Sequence, residues 1–168
     1  MRSTFIVLIL SLVFNSSWAQ AEDNCACCED QHRQFDFWLG KWKVTNPDGS
    51  FAGKNEIMKI QDSCVIQENW TSAQSGYTGT SYNFYNSSTD LWEQLWIDNQ
   101  GQSLHMSGKR IANKMVLKTD DLTNEKGRSF FHRISWTKNE DGSVRQLWET
   151  VTGTEVTVAF DGLYKKEE

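Results

Sequence analysis

Turn signals recur at short intervals from Gly40 onward and divide the chain into consecutive strands rather than strands alternating with helices. The chain has 11 glycines and one proline, and turn-forming runs such as Asn-Pro-Asp-Gly at 46–49 and Glu-Asp-Gly at 140–142 punctuate it. About ten short strands favour an all-β fold, a single antiparallel up-and-down β-barrel whose closure removes exposed strand edges. A two-sheet sandwich is the alternative. The predicted strands are 40–45, 51–60, 64–72, 79–86, 91–98, 102–108, 115–119, 128–138, 144–152 and 155–164.

The segment at 34–44, with the sequence QFDFWLGKWKV, joins a bulky apolar plug to the first strand. The plug is predicted to be helical or irregular and has three aromatic residues: Phe35, Phe37 and Trp38. Gly40 stands where this segment must bend sharply into the strand, because glycine adopts backbone conformations that other residues disfavour. We expect the plug to close one end of the barrel, with Trp42 and Val44 pointing into it.

The first 21 residues have the pattern of a signal peptide. Arg2 supplies positive charge, residues 5–14 are almost wholly apolar, and small residues suitable for cleavage follow. No later stretch approaches the length needed to span a membrane. We therefore interpret residues 1–21 as a signal peptide, 22–34 as a cysteine-containing N-terminal segment and 35–166 as the barrel domain, in a protein exported to the periplasm or secreted.

The charge balance bears on the class of partner. The chain has 17 basic and 22 acidic residues, a formal net charge of −5, and loss of Arg2 with the signal would make the charge more negative. Nucleic acids and anionic membranes attract positive surfaces, so the sequence argues against both as partners.

All four cysteines lie outside the signal peptide, and an oxidising compartment favours disulfides. We expect Cys64 to pair with Cys27 or Cys28, which would fix the N-terminal segment to the barrel. The remaining two cysteines would be free, would cross-link two chains or would form a labile pair. In a second interpretation, Cys25, Cys27, Cys28 and His32 bind copper or zinc, because thiolates and imidazole suit those ions.

Alternation along the strands predicts which side chains face the barrel interior, because successive side chains of a strand point to opposite faces. The more apolar face of a small barrel in water looks inward. Residues 82–85 carry aromatic or polar groups on both faces and leave that strand unassigned. The predicted interior set is Cys64, Ile66, Glu68 and Trp70; Trp92, Gln94, Trp96 and Asp98; Phe130, His132, Ile134 and Trp136; and Gln146, Trp148 and Thr150.

A few polar groups share this interior with tryptophans, which is how a pocket for a small organic molecule is usually built. Each buried polar group needs a partner, so these groups form either a satisfied core network or a site for a ligand. The first alternative corresponds to a structural or interaction protein with a filled core. The candidate ligand-binding residues are Glu68, Trp70, Gln94, Trp96, His132, Trp136, Gln146 and Trp148.

Two further interpretations use the same interior. Desolvation among tryptophans would raise the pKa of Glu68, which with His132 would make a general acid and base of a cofactor-free isomerase or hydrolase. His132 would alternatively ligate a heme. The sequence contains no nucleophile elbow, paired-carboxylate signature, phosphate loop or metal motif, so neither interpretation has a motif behind it.

Motifs along nearly all of the mature chain carry a resemblance to a known family. They are FDFWLGKW at 35–42, the strand at 53–60, CVI at 64–66 with ENW at 68–70, GTS at 79–81 with Asn83 and Tyr85, WxQxWxD at 92–98, SW at 135–136, GSVRQxWE at 142–149 and AFDGxY at 159–164. Together they resemble the motifs of a family of exported bacterial domains of unknown function, related in shape to calycin-like, lipocalin-like and nitrobindin-like β-barrels. The resemblance implies a barrel with a ligand-sized cavity. The Gly-x-Trp-x-Gly-x-Gly opening of heme-binding nitrobindin-like proteins is absent, since Lys43, Val44 and Thr45 follow Trp42, which argues against heme.

Overall fold

Ten antiparallel strands close into a barrel in the computed structural model, which describes residues 25–167. Each of the ten strands pairs with the ring strands before and after it in sequence, and the first and last strands also pair, which closes the sheet. The predicted signal peptide at 1–21 lies outside the described residues. The strands are β1 (Gly40–Thr45), β2 (Phe51–Ile60), β3 (Val65–Ser72), β4 (Thr78–Asn86), β5 (Leu91–Asp98), β6 (Ser103–Ile111), β7 (Lys114–Lys118), β8 (Leu122–Thr123), β9 (Ser129–Lys138), β10 (Val144–Thr152) and β11 (Glu155–Lys166).

The prediction of a single closed barrel is confirmed, and the sandwich alternative is wrong, since β9 pairs with both β7 and β10 and leaves no gap in the sheet. The structure adds β8, a two-residue strand that, among the described residues, pairs only with β9 and lies outside the closed ring. Cys64, predicted to begin the third strand on its inner face, instead lies in the turn before β3. Among residues 25–167, no helix is long and apolar enough to cross a membrane.

The plug closes one end of the barrel, as the sequence predicts. Two short 3₁₀ helices, Asp30–Arg33 and Asp36–Trp38, precede β1. The rings of Phe35 and Trp38 stack at 4.9 Å and are fully buried. Phe35 also contacts Trp136 edge to face at 5.1 Å, so the plug packs directly against side chains of the barrel interior.

Polar contacts fix the position of the plug on the barrel. The indole N–H of Trp42 donates to the Trp38 carbonyl at 2.8 Å. Lys59 Nζ, at the end of β2, lies 2.8 and 3.0 Å from the two carboxylate oxygens of Asp36. Gly40 has a φ of +133°, a value that other residues adopt with strain, and so makes the bend into β1. Trp42 is fully buried on the inner face of that strand.

Two disulfides hold the N-terminal segment. One joins Cys27 to Cys64, which is one of the two pairings expected from the sequence, across a separation of 37 residues. The other joins Cys25 to Cys28, three residues apart, so the two remaining cysteines pair within one chain. The Cys27–Cys64 bridge fixes the N-terminal segment, which leads into the plug, to the turn that precedes β3.

Candidate functional site

A cavity of about 550 Å³ occupies the barrel lumen at the end opposite the plug. This volume lies within the usual range for small-molecule sites, about 300–1,000 Å³. The cavity reaches the loops at 46–50 and 73–77, where Phe51 is 45% exposed at the rim. The lumen is therefore filled by side chains at the plug end and open at the other.

Aromatic side chains make most of the cavity wall. Trp70 and Phe160 meet edge to face at 6.0 Å, on opposite sides of the β1 and β2 strands. Bulky rings fit here because small residues make room for them: a Cβ atom at Gly53 would lie 2.6 Å from the Trp70 ring. The lining aromatic residues are Phe51, Trp70, Tyr77, Trp96, Trp136, Trp148, Phe160 and Tyr164.

A belt of polar side chains crosses the deeper part of the lumen. Inward-facing positions on six strands, β10, β11 and β2 to β5, contribute to it. The strands β6, β7 and β9 supply buried apolar residues such as Met106, Leu117 and Ile134 instead, so the belt gives the interior one polar side. The members of the belt are Gln146, Tyr164, Asn55, Glu68, Ser81, Asn83 and Gln94.

Glu68 is the charged member of this belt and is only 4% exposed. Its carboxylate accepts a hydrogen bond from Asn55 Nδ2 on β2 and one from Ser81 Oγ on β4, each at 2.6 Å. Burial raises the pKa of Glu68 to about 7, against the lowering effect of those two hydrogen bonds. The carboxyl is therefore held in one orientation and titrates near neutral pH.

Both ends of the belt stop at amides that line the cavity. Gln94 Nε2 donates to Asn83 Oδ1 at 2.6 Å, and Tyr164 donates its hydroxyl to Gln146 Oε1. Gln94 Oε1 and Gln146 Nε2 make no hydrogen bond to any residue in the range 25–167. One amide thus presents a free acceptor and the other a free donor near the same space.

The belt is not a fully self-satisfied core network. Within the described chain, Asn55 Oδ1 and Trp136 Nε1 are buried and lack a hydrogen-bond partner. Native interiors leave few such atoms unpaired, because each one costs about 1–3 kcal/mol. Among the described residues, Asn55 Oδ1 therefore leaves the belt with one unpaired buried acceptor, and Trp136 Nε1 leaves an unpaired donor in the cavity wall.

The structure brings seven of the eight candidate ligand-binding residues to the cavity, and His132 is the exception. His132 Nδ1 accepts a hydrogen bond from Trp148 Nε1 at 3.1 Å and lies 3.1 Å from Thr150 Oγ1. Burial lowers the pKa of His132. Its side chain is not among those that line the cavity, so it orients the Trp148 ring instead of facing a ligand.

This geometry removes support from two interpretations. A general acid and base pair would need Glu68 and His132 at one substrate, but Glu68 lines the cavity and His132 does not. A heme inside the cavity would need His132 to face it, and it does not. Neither interpretation gains support from the cavity wall, and both stay predictions.

The soft-metal interpretation is wrong for the disulfide-bonded protein. Both disulfides together use all four sulfur atoms, so no thiolate remains beside His32 to bind copper or zinc. Within residues 25–167, no group of three or more histidine, cysteine or acidic residues has the arrangement of a metal site.

Three other residues of the predicted interior set have structural roles at the rim or in the plug. Asp98 accepts hydrogen bonds from the backbone N–H groups of Gln100 and Gln102 at 2.9 Å and so shapes the turn after β5. Trp92 donates to the Gln31 carbonyl at 3.2 Å and contacts the plug. Phe130 packs edge to face on His132 at 5.5 Å.

Sequence reasoning missed four members of the polar belt: Asn55, Ser81, Asn83 and Tyr164. Asn55 could have been assigned to the interior from the sequence, since it alternates with Ile57 along the predicted strand 51–60. Ser81 and Asn83 could not be assigned, because the opposite face of β4 carries Tyr82, which the apolar-inward rule favours for the interior.

A comparison of the sequence with models of known protein families finds no match, and neither does a comparison with curated proteins. The resemblance to exported barrel domains stays a prediction.

Proposed function

We propose that this protein binds a small, partly apolar organic molecule in the lumen of the barrel. One observation carries the proposal: a cavity of about 550 Å³ with aromatic walls ends on a polar belt that still has free hydrogen-bonding capacity. Apolar walls supply contact area, and a few converging polar groups set the orientation of a ligand.

Export is part of the same proposal. The signal-peptide pattern at 1–21 supports it, and so do two disulfides in the adjoining segment, because disulfides persist in oxidising compartments. A binder released from the cytoplasm would meet its ligand in the periplasm or the medium.

Native mass spectrometry of the protein purified from its own host tests the proposal directly, because it detects a co-purified ligand by mass. A tryptophan-fluorescence screen of small metabolites extends the test, since Trp70, Trp96, Trp136 and Trp148 surround the cavity. We expect a bound mass, or saturable quenching by at least one class of compound.

A pair of variants locates the binding. Leu104 lies in the cavity wall, and Leu104→Trp would fill part of the lumen. Leu95, on the outer face of β5 and 38% exposed, gives the matched control Leu95→Trp. Binding that is lost in the first variant and kept in the second supports the lumen site. Equal binding by both, or no ligand in either experiment, would contradict the proposal.

A further inference from the structure

The cavity wall carries charge of one sign only, and that sign is negative. Glu68 is the one acidic side chain among the lining residues, and none of the lining residues is lysine, arginine or histidine. An anionic ligand would face a buried carboxylate with no cation to offset it. The electrostatic character of the lumen therefore disfavours anions and leaves neutral and cationic ligands.

The carboxylate of Glu68 has acceptor capacity left for a ligand. An ionised carboxylate offers about four lone-pair sites, and the Asn55 and Ser81 donors take one each. Those two hydrogen bonds fix the direction of the group before a ligand arrives. A donor entering the cavity meets an oriented acceptor, and orientation in advance reduces the entropic cost of binding.

Aromatic faces around the cavity favour the same kind of ligand. Trp70, Trp96 and Trp148 all line it, together with Tyr77 and Phe160. The electron-rich face of an aromatic ring attracts a cation, and several rings around one space are a recurrent site for ammonium groups. A lone carboxylate within such a set of rings adds a full negative charge to that attraction.

We propose that the ligand is an organic cation, a protonated or quaternary amine on an apolar or aromatic skeleton, with its charged group held against Glu68 and its skeleton among the tryptophans. This inference rests on the proposed function, because it names the class of molecule that the cavity takes. The free acceptor Gln94 Oε1 adds a second partner for an ammonium N–H.

The proposal also predicts how the affinity for a cationic ligand depends on pH. The groups that face Glu68 are Asn55 from β2, Ser81 from β4 and Tyr164 from β11. Of these only Tyr164 titrates, and burial raises its pKa well above the ordinary value. The pKa of Glu68 without a ligand is about 7. A cation binds the ionised form, so its affinity should rise up to about tenfold per pH unit below pH 7 and level off above it.

Matched ligands test the charge preference. We would measure binding by calorimetry to purified protein with both disulfides intact, using 3-phenylpropylamine, 3-phenylpropanol and 3-phenylpropionate. A second set would carry the same three groups on a naphthylethyl skeleton. At pH 8 we expect each amine to bind at least tenfold more tightly than its alcohol, and each carboxylate to bind most weakly.

Two variants connect that preference to one residue. Glu68→Gln keeps an acceptor oxygen at the position and removes the charge, so the amine should lose its advantage over the alcohol and its dependence on pH. Glu56→Gln removes an acid from the outer face of β2, where Glu56 pairs with Lys41, and should leave both unchanged. Circular dichroism checks that each variant is folded.

The outcomes separate the two proposals. If the wild-type protein binds alcohols as tightly as amines, or if Glu68→Gln keeps the preference for amines, the cation proposal is overturned while the lumen remains a binding site. If none of the six compounds binds, the cation proposal is also overturned. The broader metabolite screen and native mass spectrometry then decide separately on the proposed function.

Discussion

The indole ring of Trp96 lies directly against Gly79, so close that a Cβ atom added at Gly79 would stand 2.1 Å from Trp96 Cζ2. Gly79→Ala must therefore displace the Trp96 ring from the cavity wall. Overpacking of this kind costs about 1–3 kcal/mol of stability. We expect the variant to unfold at lower urea concentration and to bind cavity ligands more weakly, as measured by tryptophan fluorescence.

Gly108→Ala is the control for crowding without a change of the cavity. A Cβ atom at Gly108 would lie 2.0 Å from the Val116 carbonyl oxygen, and Gly108 is not a lining residue. This variant should lose stability but keep the ligand affinity of its folded form. Unaltered binding by Gly79→Ala would show that Trp96 does not contact the ligand.

The disulfide between Cys27 and Cys64 should contribute most of the stabilisation that the N-terminal segment gives the barrel. Closing a loop of 37 residues restricts the unfolded chain and stabilises the fold by about 3–4 kcal/mol. The double variant Cys27→Ser with Cys64→Ser should lower the free energy of unfolding by that amount in urea titrations.

Removal of the other bridge, by Cys25→Ser with Cys28→Ser, should lower the free energy of unfolding by less. Its two cysteines are only three residues apart, so the loop that it closes is short. Peptide mapping gives an independent check. Alkylation of Cys64 without prior reduction would contradict the pairing.

The order of strands could be predicted from the sequence because turn residues and alternation act locally. The segment 51–60 reads as one strand without knowledge of its neighbours, and β2 has the predicted bounds. Trp70, Gln94 and Trp148 could also be assigned to the interior, because a slip by one residue would turn each strand's apolar set outward. They line the cavity in the structure.

The polar belt could not be predicted in full, because its members depend on contacts between strands. The inner face of β4 carries Ser81 and Asn83, whereas Tyr82 on the outer face is 39% exposed. Hydrogen bonding to the buried Glu68 outweighs the apolar preference there, and register across β3 and β4 is needed to see it. Alternation likewise predicts that His132 faces inward, but it cannot show that His132 Nδ1 accepts a hydrogen bond from Trp148 on a neighbouring strand.

Glu68 should give the protein a distinct dependence of stability on pH. Its pKa rises from an ordinary 4.5 in the unfolded chain to about 7 in the fold, so the folded state holds more protons between those values. Stability attributable to Glu68 is therefore present in full below pH 4.5, falls as the pH rises to 7, and is constant above that. The expected change is on the order of 3 kcal/mol.

Comparison with Glu68→Gln isolates this effect. The free energy of unfolding of the wild-type protein minus that of Glu68→Gln should fall between pH 5 and pH 7 in urea titrations. The exposed loop residue Glu125 supplies the control Glu125→Gln, which removes a carboxyl that does not line the cavity. Parallel curves for the wild type and Glu68→Gln would show that Glu68 does not titrate as described.

Gln94 links the polar belt to the cavity, so its replacement should affect stability and binding together. Gln94→Leu removes the donor to Asn83 Oδ1, which lies 2.6 Å away, and leaves that buried oxygen unpaired at a cost of about 1–3 kcal/mol. It also removes the free acceptor Gln94 Oε1 from the cavity, so ligand affinity should fall by a comparable free energy. Gln67→Leu, on the outer face of β3, is the control and should change stability and ligand affinity less than Gln94→Leu does. Urea unfolding and ligand titration of both variants separate the outcomes. Lost stability with unchanged affinity would assign Gln94 to the core alone. Unchanged stability and unchanged affinity would contradict the hydrogen bond to Asn83.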